Sequence, residues 1–182
     1  DRQQEADLAH GQWLDPDSDF LGWLKLWDFI QQLKASTTRS QFRKACRQNF
    51  LSEMRLREWQ DVHRQLMEMV TQFGLTVGKR RWNSSMTGAQ QPVGKSESTG
   101  GFGERHPHGS RSPLEHPAYA AIHRALLSGL LSSVANRGET NEYTATGGGK
   151  FLLWPGSGVI GTKPKWIMAG EMVETARRYL RT

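Results

Sequence analysis

The chain has 182 residues, a hydrophobic share of 36%, a net charge of +6 and a pI of about 9.8. That length suits one ordinary domain or two small ones, and the mean hydropathy of -0.64 implies that part of the chain lies outside any packed core. The charge favours a polyanionic partner such as nucleic acid or an acidic surface. The one cysteine, Cys46, excludes an intrachain disulfide.

Cys46 fits a small buried hydrophobe in a helix, and a chain without disulfides fits a reducing cytoplasm. No uninterrupted apolar run approaches about 18 residues, so no membrane span is expected. Residues 1–17 are polar and acidic, unlike a signal peptide. The first residue is not Met, as expected of a fragment or a processed product. Pro16 discourages helix just before it.

Ser18 is a good N-cap and Asp19 suits the positive end of a helix, so a first helix is expected over 19–34. Phe20, Leu21, Trp23, Leu24, Leu26, Trp27, Phe29, Ile30 and Leu33 cover more than one stripe of it. This predicts packing on several sides, with the aromatics in the core rather than stacking on bases. A capping-rich connector over 35–40 leads to a second helix over 40–50, with Phe42, Ala45 and Cys46 inward. Arg43 and Arg47, four residues apart, share another face. A third helix is expected over 51–73, where Leu56, Trp59, Val62, Leu66, Met69, Val70 and Phe73 follow the 3.6-residue period. Gly74 falls at its C′ position. Arg55, Arg57 and Arg64 belong to the polar side, and His63 beside the stripe reads as a structural or surface histidine.

Residues 75–117 change character: Gly, Ser, Thr, Gln and Pro dominate, and Lys79-Arg80-Arg81 stand at one end. Such a stretch buries too little apolar surface to offset the entropy of ordering, and a flexible linker or insertion is expected. His106, His108 and His116 lie in it, but no cysteine and no regular ligand spacing accompanies them, so they are not taken as a metal site. Asn83-Ser84-Ser85 matches a glycosylation sequon by chance, given the absence of a secretion signal.

Pro117 suits the first position of a helix expected over 118–135. Tyr119, Ile122, Leu126, Leu127, Leu130, Leu131 and Val134 form its apolar face. Short strands broken by tight turns then follow. Gly147-Gly148-Gly149 permits a reversal, and Lys150 to Trp154 has the composition of a buried strand. Pro155-Gly156-Ser157-Gly158 must turn, and Gly161 to Lys165 is a second turn carrying Lys163 and Lys165. Trp166 to Ala169 restarts a strand. From Glu171 to Arg181 the pattern alone reads as helix. Cations on turns beside aromatic strands suit phosphates and bases, although solvated lysines around a small β-barrel fit the same pattern.

These residues carry a resemblance. Phe151 to Trp154, the turn Pro155 to Gly158, the run Lys163 to Trp166, and Glu171-Met172-Val173-Glu174-Thr175 together resemble the C-terminal OB-fold of DEAH-box ATP-dependent RNA helicases. Ser18 to Leu21 with Leu26-Trp27, Gln41 to Lys44 with Cys46-Arg47, and Met54 to His63 resemble the helical, ratchet-like segment before it. Ala125 to Leu131 resembles the run leading into the barrel. The resemblance implies an α+β chain: a helical segment over 1–74, a linker over 75–117, and an OB-fold segment with a leading helix over 118–182. It also turns Glu171 to Thr175 into a strand. An OB-fold has five strands. About three can be placed here, which leaves an open barrel edge as the expectation.

The phosphate loop of a helicase motor, Gly-x4-Gly-Lys followed by Ser or Thr, is absent, and Gly147 to Lys150 lacks its spacing. There is no Asp-Glu-Ala-His box, and no catalytic or metal residue can be assigned. The segment is therefore expected to be inactive alone, with ATP and magnesium belonging to the parent motor. The resemblance implies that the region grips single-stranded RNA against RecA-like motor domains of the same parent chain, in the cytoplasm. The candidate contacts are Arg43, Arg47, Arg55 and Arg57 on the helical side, and Lys150, Lys163, Lys165, Arg177 and Arg178 on the barrel. Ser157 either donates to a phosphate or caps its turn. Trp154 and Trp166 are expected in the core. The alternative is a protein-interaction or scaffolding module whose basic surface meets an acidic partner.

Overall fold

The computed structural model describes residues 2–78 and 117–182. Most of the expected linker, including Lys79 to Arg81, Asn83, His106, His108 and His116, lies outside the described residues. The chain is α+β and divides into two compact units, one of Asp1–Glu53 with Arg111–Thr182 and one of Met54–Ser110.

The first unit opens with α1 (Arg2–His10) and a single 3-10 turn over Gly11–Trp13. Within the stretch read only as polar, Trp13 is buried and tilts against Phe29 at 5.2 Å. Helix α2 (Asp19–Ser36) starts where the capping signal placed it, with Ser18 Oγ accepting the Leu21 N–H. Gly22 lets the N-terminal segment lie against the helix, because a Cβ there would stand 2.9 Å from the Trp13 carbonyl oxygen. Helix α3 (Arg39–Gln48) begins with a full capping box, Thr38 and Gln41 each bonding the other's backbone N–H. It ends two residues earlier than expected. Phe50 takes a left-handed conformation, and the N–H groups of Phe50 and Leu51 return to Arg47 and Cys46. Phe42 and Cys46 are buried, as the spacing required.

Helix α4 (Glu53–Gln72) lies in the second unit from Met54 onward. Gly74, at φ +70, closes it: the N–H groups of Gly74 and Leu75 bond Thr71 and Val70 at 3.0 and 3.1 Å. Of its apolar stripe only Leu56 is buried; Val62, Leu66, Met69 and Phe73 are exposed.

Back in the first unit, α5 runs from Pro117 to Gly129, shorter than the helix expected over 118–135. After a 3-10 turn at Leu131–Ser133 the chain becomes β1 (Val134–Arg137). Strand pairing overrides the helical pattern here, because β1 is bonded on both sides. Strands β2 (Tyr143–Ala145), β3 (Lys150–Leu153), β4 (Trp166–Met168), β5 (Glu171–Glu174) and β6 (Arg178–Arg181) follow, in the sheet order β4-β1-β2-β3-β6-β5. Six strands thus replace the expected three. Glu171 to Glu174 is extended, as the resemblance implied and the local pattern did not. Strands β3 and β6 are parallel; the other pairs are antiparallel.

The two ends of this order, β4 and β5, are consecutive in the chain. Between them Ala169 N–H bonds Ser133 O at 2.9 Å and Gly170 N–H bonds Arg181 O at 2.8 Å. One bent segment therefore serves β1 on one side and β6 on the other, and the sheet curls into a half-barrel. Ala135, Tyr143, Leu153, Val159, Ile167, Ala169 and Leu180 fill the inside.

Tyr143 illustrates how polar groups enter this core. Its ring is 2% exposed while its hydroxyl donates to Pro164 O at 2.8 Å. Burial raises its pKa, against a smaller opposing effect of Arg137. The folded chain thus keeps the phenol proton to higher pH than the unfolded chain does. Its contribution is complete below about pH 10 and declines as pH climbs through the raised folded value. Tyr143→Phe is expected to cost about 1 kcal/mol at neutral pH, for the lost hydrogen bond. It should also flatten part of the decline in melting temperature above about pH 10, read by thermal melts across that range.

Candidate nucleic-acid interface

The candidate cations fall into groups. The first surrounds the β5–β6 turn and the start of β3. Arg177 and Arg178 are exposed, and the Arg178 guanidinium lies over the Phe151 ring, 5.4 Å from its centre. The turn is held by its own backbone, Thr175 N–H to Arg177 O at 2.9 Å. Lys150 is exposed and stands 3.6 Å from Glu142, a water-facing pair of small energetic weight.

The second group is the turn before β4. Lys163 and Lys165 are both exposed. Lys163 has φ +45, a backbone conformation rare for a side chain with a Cβ. The turn is fixed from below: Pro164 O accepts the Tyr143 hydroxyl, and Lys165 O accepts Arg137 N–H at 2.8 Å and Asn136 Nδ2 at 3.3 Å.

Strand register joins the two groups. Trp166 lies opposite Asn136, Asn136 opposite Thr144, and Thr144 opposite Lys150. Directly paired residues share a face, so these four side chains form one row across the outside of the sheet. The alternate residues Ala135 and Ile167 point into the core. The row spans three strand spacings, about 14 Å.

The expectation that Trp154 and Trp166 both belong to the core holds for neither in full. Trp154 is half-buried, edge-on to Tyr179 at 5.5 Å and capped by the Arg181 guanidinium at 4.3 Å. Trp166 is 62% exposed, because alternation in β4 gives the inward place to Ile167. On α2, where the aromatics were expected inside, Trp23 is likewise largely exposed.

A third group lies on α3. Arg43 and Arg47, together with Arg39, Thr38 and Ser40, line an open surface hollow of about 650 Å³. Arg43 Nε also bonds Glu53 at 3.1 Å. Arg39 falls one turn before Arg43 on the same face and was overlooked, although its spacing was visible. Arg55 and Arg57 belong to the other unit, where Arg55 pairs with Glu58 at 3.0 Å.

Ser157 takes the capping role of the two open to it. It is 5% exposed. Its hydroxyl donates to Asp19 Oδ2 at 2.6 Å, accepts Val159 N–H at 3.3 Å and lies 3.2 Å from Thr182 Oγ1. Asp19 also accepts Gly158 N–H at 2.7 Å and the Thr182 hydroxyl at 2.6 Å. The first turn of α2 is thereby clamped to the Pro155–Gly158 turn. Beside it, His123 sits between Ser18 Oγ and Tyr119 O, 2.7 Å from each, and stacks on Tyr119 at 3.9 Å. Burial, then Asp17 and Asp15, raise the Tyr119 pKa.

Among the described residues no group of three His, Cys, Asp or Glu is placed to hold a metal ion, and no helix is long and apolar enough to cross a membrane. The barrel presents an exposed indole at Trp166, short polar side chains beside it, and cations on the neighbouring turns.

Comparison with known proteins agrees with this geometry. Residues 122–182 match the family described as oligonucleotide/oligosaccharide-binding (OB)-fold. The chain is 32% identical over 178 residues to the ATP-dependent RNA helicase HrpA of Escherichia coli (strain K12), and 30% identical over 178 residues to the HrpA homolog of Haemophilus influenzae. Each match takes in 97% of this chain but 11% of the relative. The chain is thus similar to a stretch of these helicases and spans about a tenth of their length.

Proposed function

We propose that this chain is the RNA-binding accessory region of a DEAH-box ATP-dependent RNA helicase. It grips single-stranded RNA while RecA-like motor domains of the parent chain hydrolyse ATP with magnesium, in the cytoplasm. The observation that carries this reading is the match to HrpA along 97% of the chain, through the helical segment as well as the OB-fold. The cations then have a use. Lys150, Lys163, Lys165, Arg177 and Arg178 on the barrel, and Arg43 and Arg47 on α3, neutralise phosphates along the strand, while Arg55 and Arg57 serve the other unit. Ser157 is not counted among the contacts, since Asp19 engages it.

A second reading, a protein-interaction module, draws on the exposed Val62, Leu66, Met69 and Phe73 of α4. The two part on charge. In the RNA reading, Lys163→Gln and Lys165→Gln weaken binding to a labelled single-stranded RNA, and each lost phosphate contact lowers the slope of log affinity against log salt by about 0.7. Fluorescence anisotropy across a salt series measures this. Unchanged affinity and slope in a variant that also carries Lys150→Gln and Arg177→Gln would remove the barrel from the RNA path.

A further inference from the structure

We infer that Trp166 is a base-stacking platform: one base of a single-stranded nucleic acid lies on its indole while the adjoining phosphates meet Lys163 and Lys165. This rests on the RNA reading above and adds the surface, the contact mode and the residue that provides it.

Three observations converge on this surface. Trp166, the first residue of β4, is 62% exposed, whereas the next residue, Ile167, is 6% exposed, and both are paired with β1. The strand is therefore firmly seated, and the indole is held outward by register, not left over from a loose end. Its row partners Asn136 and Thr144 are short, so an incoming planar group meets a low floor beside the ring. Trp154 makes the contrast. Its ring is already engaged by Tyr179 and Arg181, whereas the Trp166 indole has no stacking or cation partner among the described residues.

The neighbouring turn supplies charge from a fixed base. Lys163 holds a left-handed backbone that glycine would adopt without strain. The two carbonyls that follow it, of Pro164 and Lys165, are bonded to Tyr143, Arg137 and Asn136. Lys150, at the far end of the row, is shared with Glu142 and contributes less. An exposed π face next to two cations suits a ligand that alternates aromatic faces with anions, and single-stranded nucleic acid is such a ligand. An acidic peptide would use the lysines and leave the indole unused.

The test compares a labelled single-stranded oligouridine RNA with inorganic polyphosphate, a polyanion without bases. Trp166→Ala is expected to weaken RNA binding about tenfold, the usual scale for one base–aromatic stack. Polyphosphate binding should be unchanged, and Trp166→Phe should retain part of the RNA affinity. Lys163→Gly is expected to weaken both ligands without lowering the melting temperature. Normal RNA affinity in Trp166→Ala would overturn the platform while leaving the RNA reading intact. Equal loss for both ligands would overturn it too, by showing that the substitution acts on charge or fold. Failure of the unaltered chain to bind RNA at all would remove both the platform and the reading beneath it.

Discussion

Asp19→Ala is expected to destabilise the chain by about 3 kcal/mol and to lower its melting temperature by about 6–10 °C. The carboxylate accepts three hydrogen bonds, from the Ser157 and Thr182 hydroxyls and from Gly158 N–H, at 2.6, 2.6 and 2.7 Å. Bonds to a charged acceptor are stronger than neutral ones. Truncation also takes the short acceptor from the Ser157 hydroxyl, which is 5% exposed and keeps only Thr182 Oγ1, at 3.2 Å, to donate to. The favourable interaction of an acid with the first turn of α2 is lost as well. Asp19→Asn keeps one acceptor oxygen and should cost less. A double-mutant cycle with Ser157→Ala should show coupling of about 1–2 kcal/mol, since the two side chains touch. Additive losses in that cycle would mean that the clamp is not a working unit.

Gly158→Ala is expected to cost as much, about 3 kcal/mol, for a different reason. An added Cβ would collide with the Asp15 carbonyl oxygen and stand 3.1 Å from its carbon and 3.2 Å from its nitrogen. Those atoms are backbone, held in place because Asp15 Oδ1 bonds the N–H groups of Asp17 and Ser18 and its other oxygen pairs with Lys25 at 2.9 Å. Relief therefore requires the Pro155–Gly158 turn to withdraw from α2, which breaks the bonds to Asp19. Gly161, three residues on, has open space around its would-be Cβ and an ordinary negative φ. Gly161→Ala should be neutral or stabilising by about 0.5 kcal/mol. Urea melts of both variants measure the contrast, and similar midpoints would contradict the close-approach argument.

This junction shows what was legible from residues alone. The N-cap at Ser18, the stop at Gly74 and the start at Pro117 were readable because each acts through its own neighbours. The clamp was not: Asp19 and Ser157 are 138 residues apart. Each belonged to a different recognisable motif, and nothing local said that the two motifs meet. The structure gives them a common purpose, tying the helical segment to the sheet within one unit. Strand β1 failed for a related reason. The helix expected over 118–135 takes in Val134 and Ala135, and only pairing with β2 and β4 makes these two extended. Trp166 was placed inside because large aromatics usually are. Its true side follows from the parity of β4, which is set by the register against Asn136 and by the curl of the sheet. The charges themselves were visible, but the row joining Trp166 to Lys150 required the register of three strand pairs.

On the proposal above, the chain grips RNA through its charged surface. The most direct test is the affinity of the unaltered 182-residue chain for a single-stranded RNA, followed from about 50 to 200 mM salt. Binding that weakens steeply, with a log–log slope of about -3 for four or five phosphate contacts on a single strand, is the predicted result. No binding at the low end of that range, or binding indifferent to salt, would contradict it.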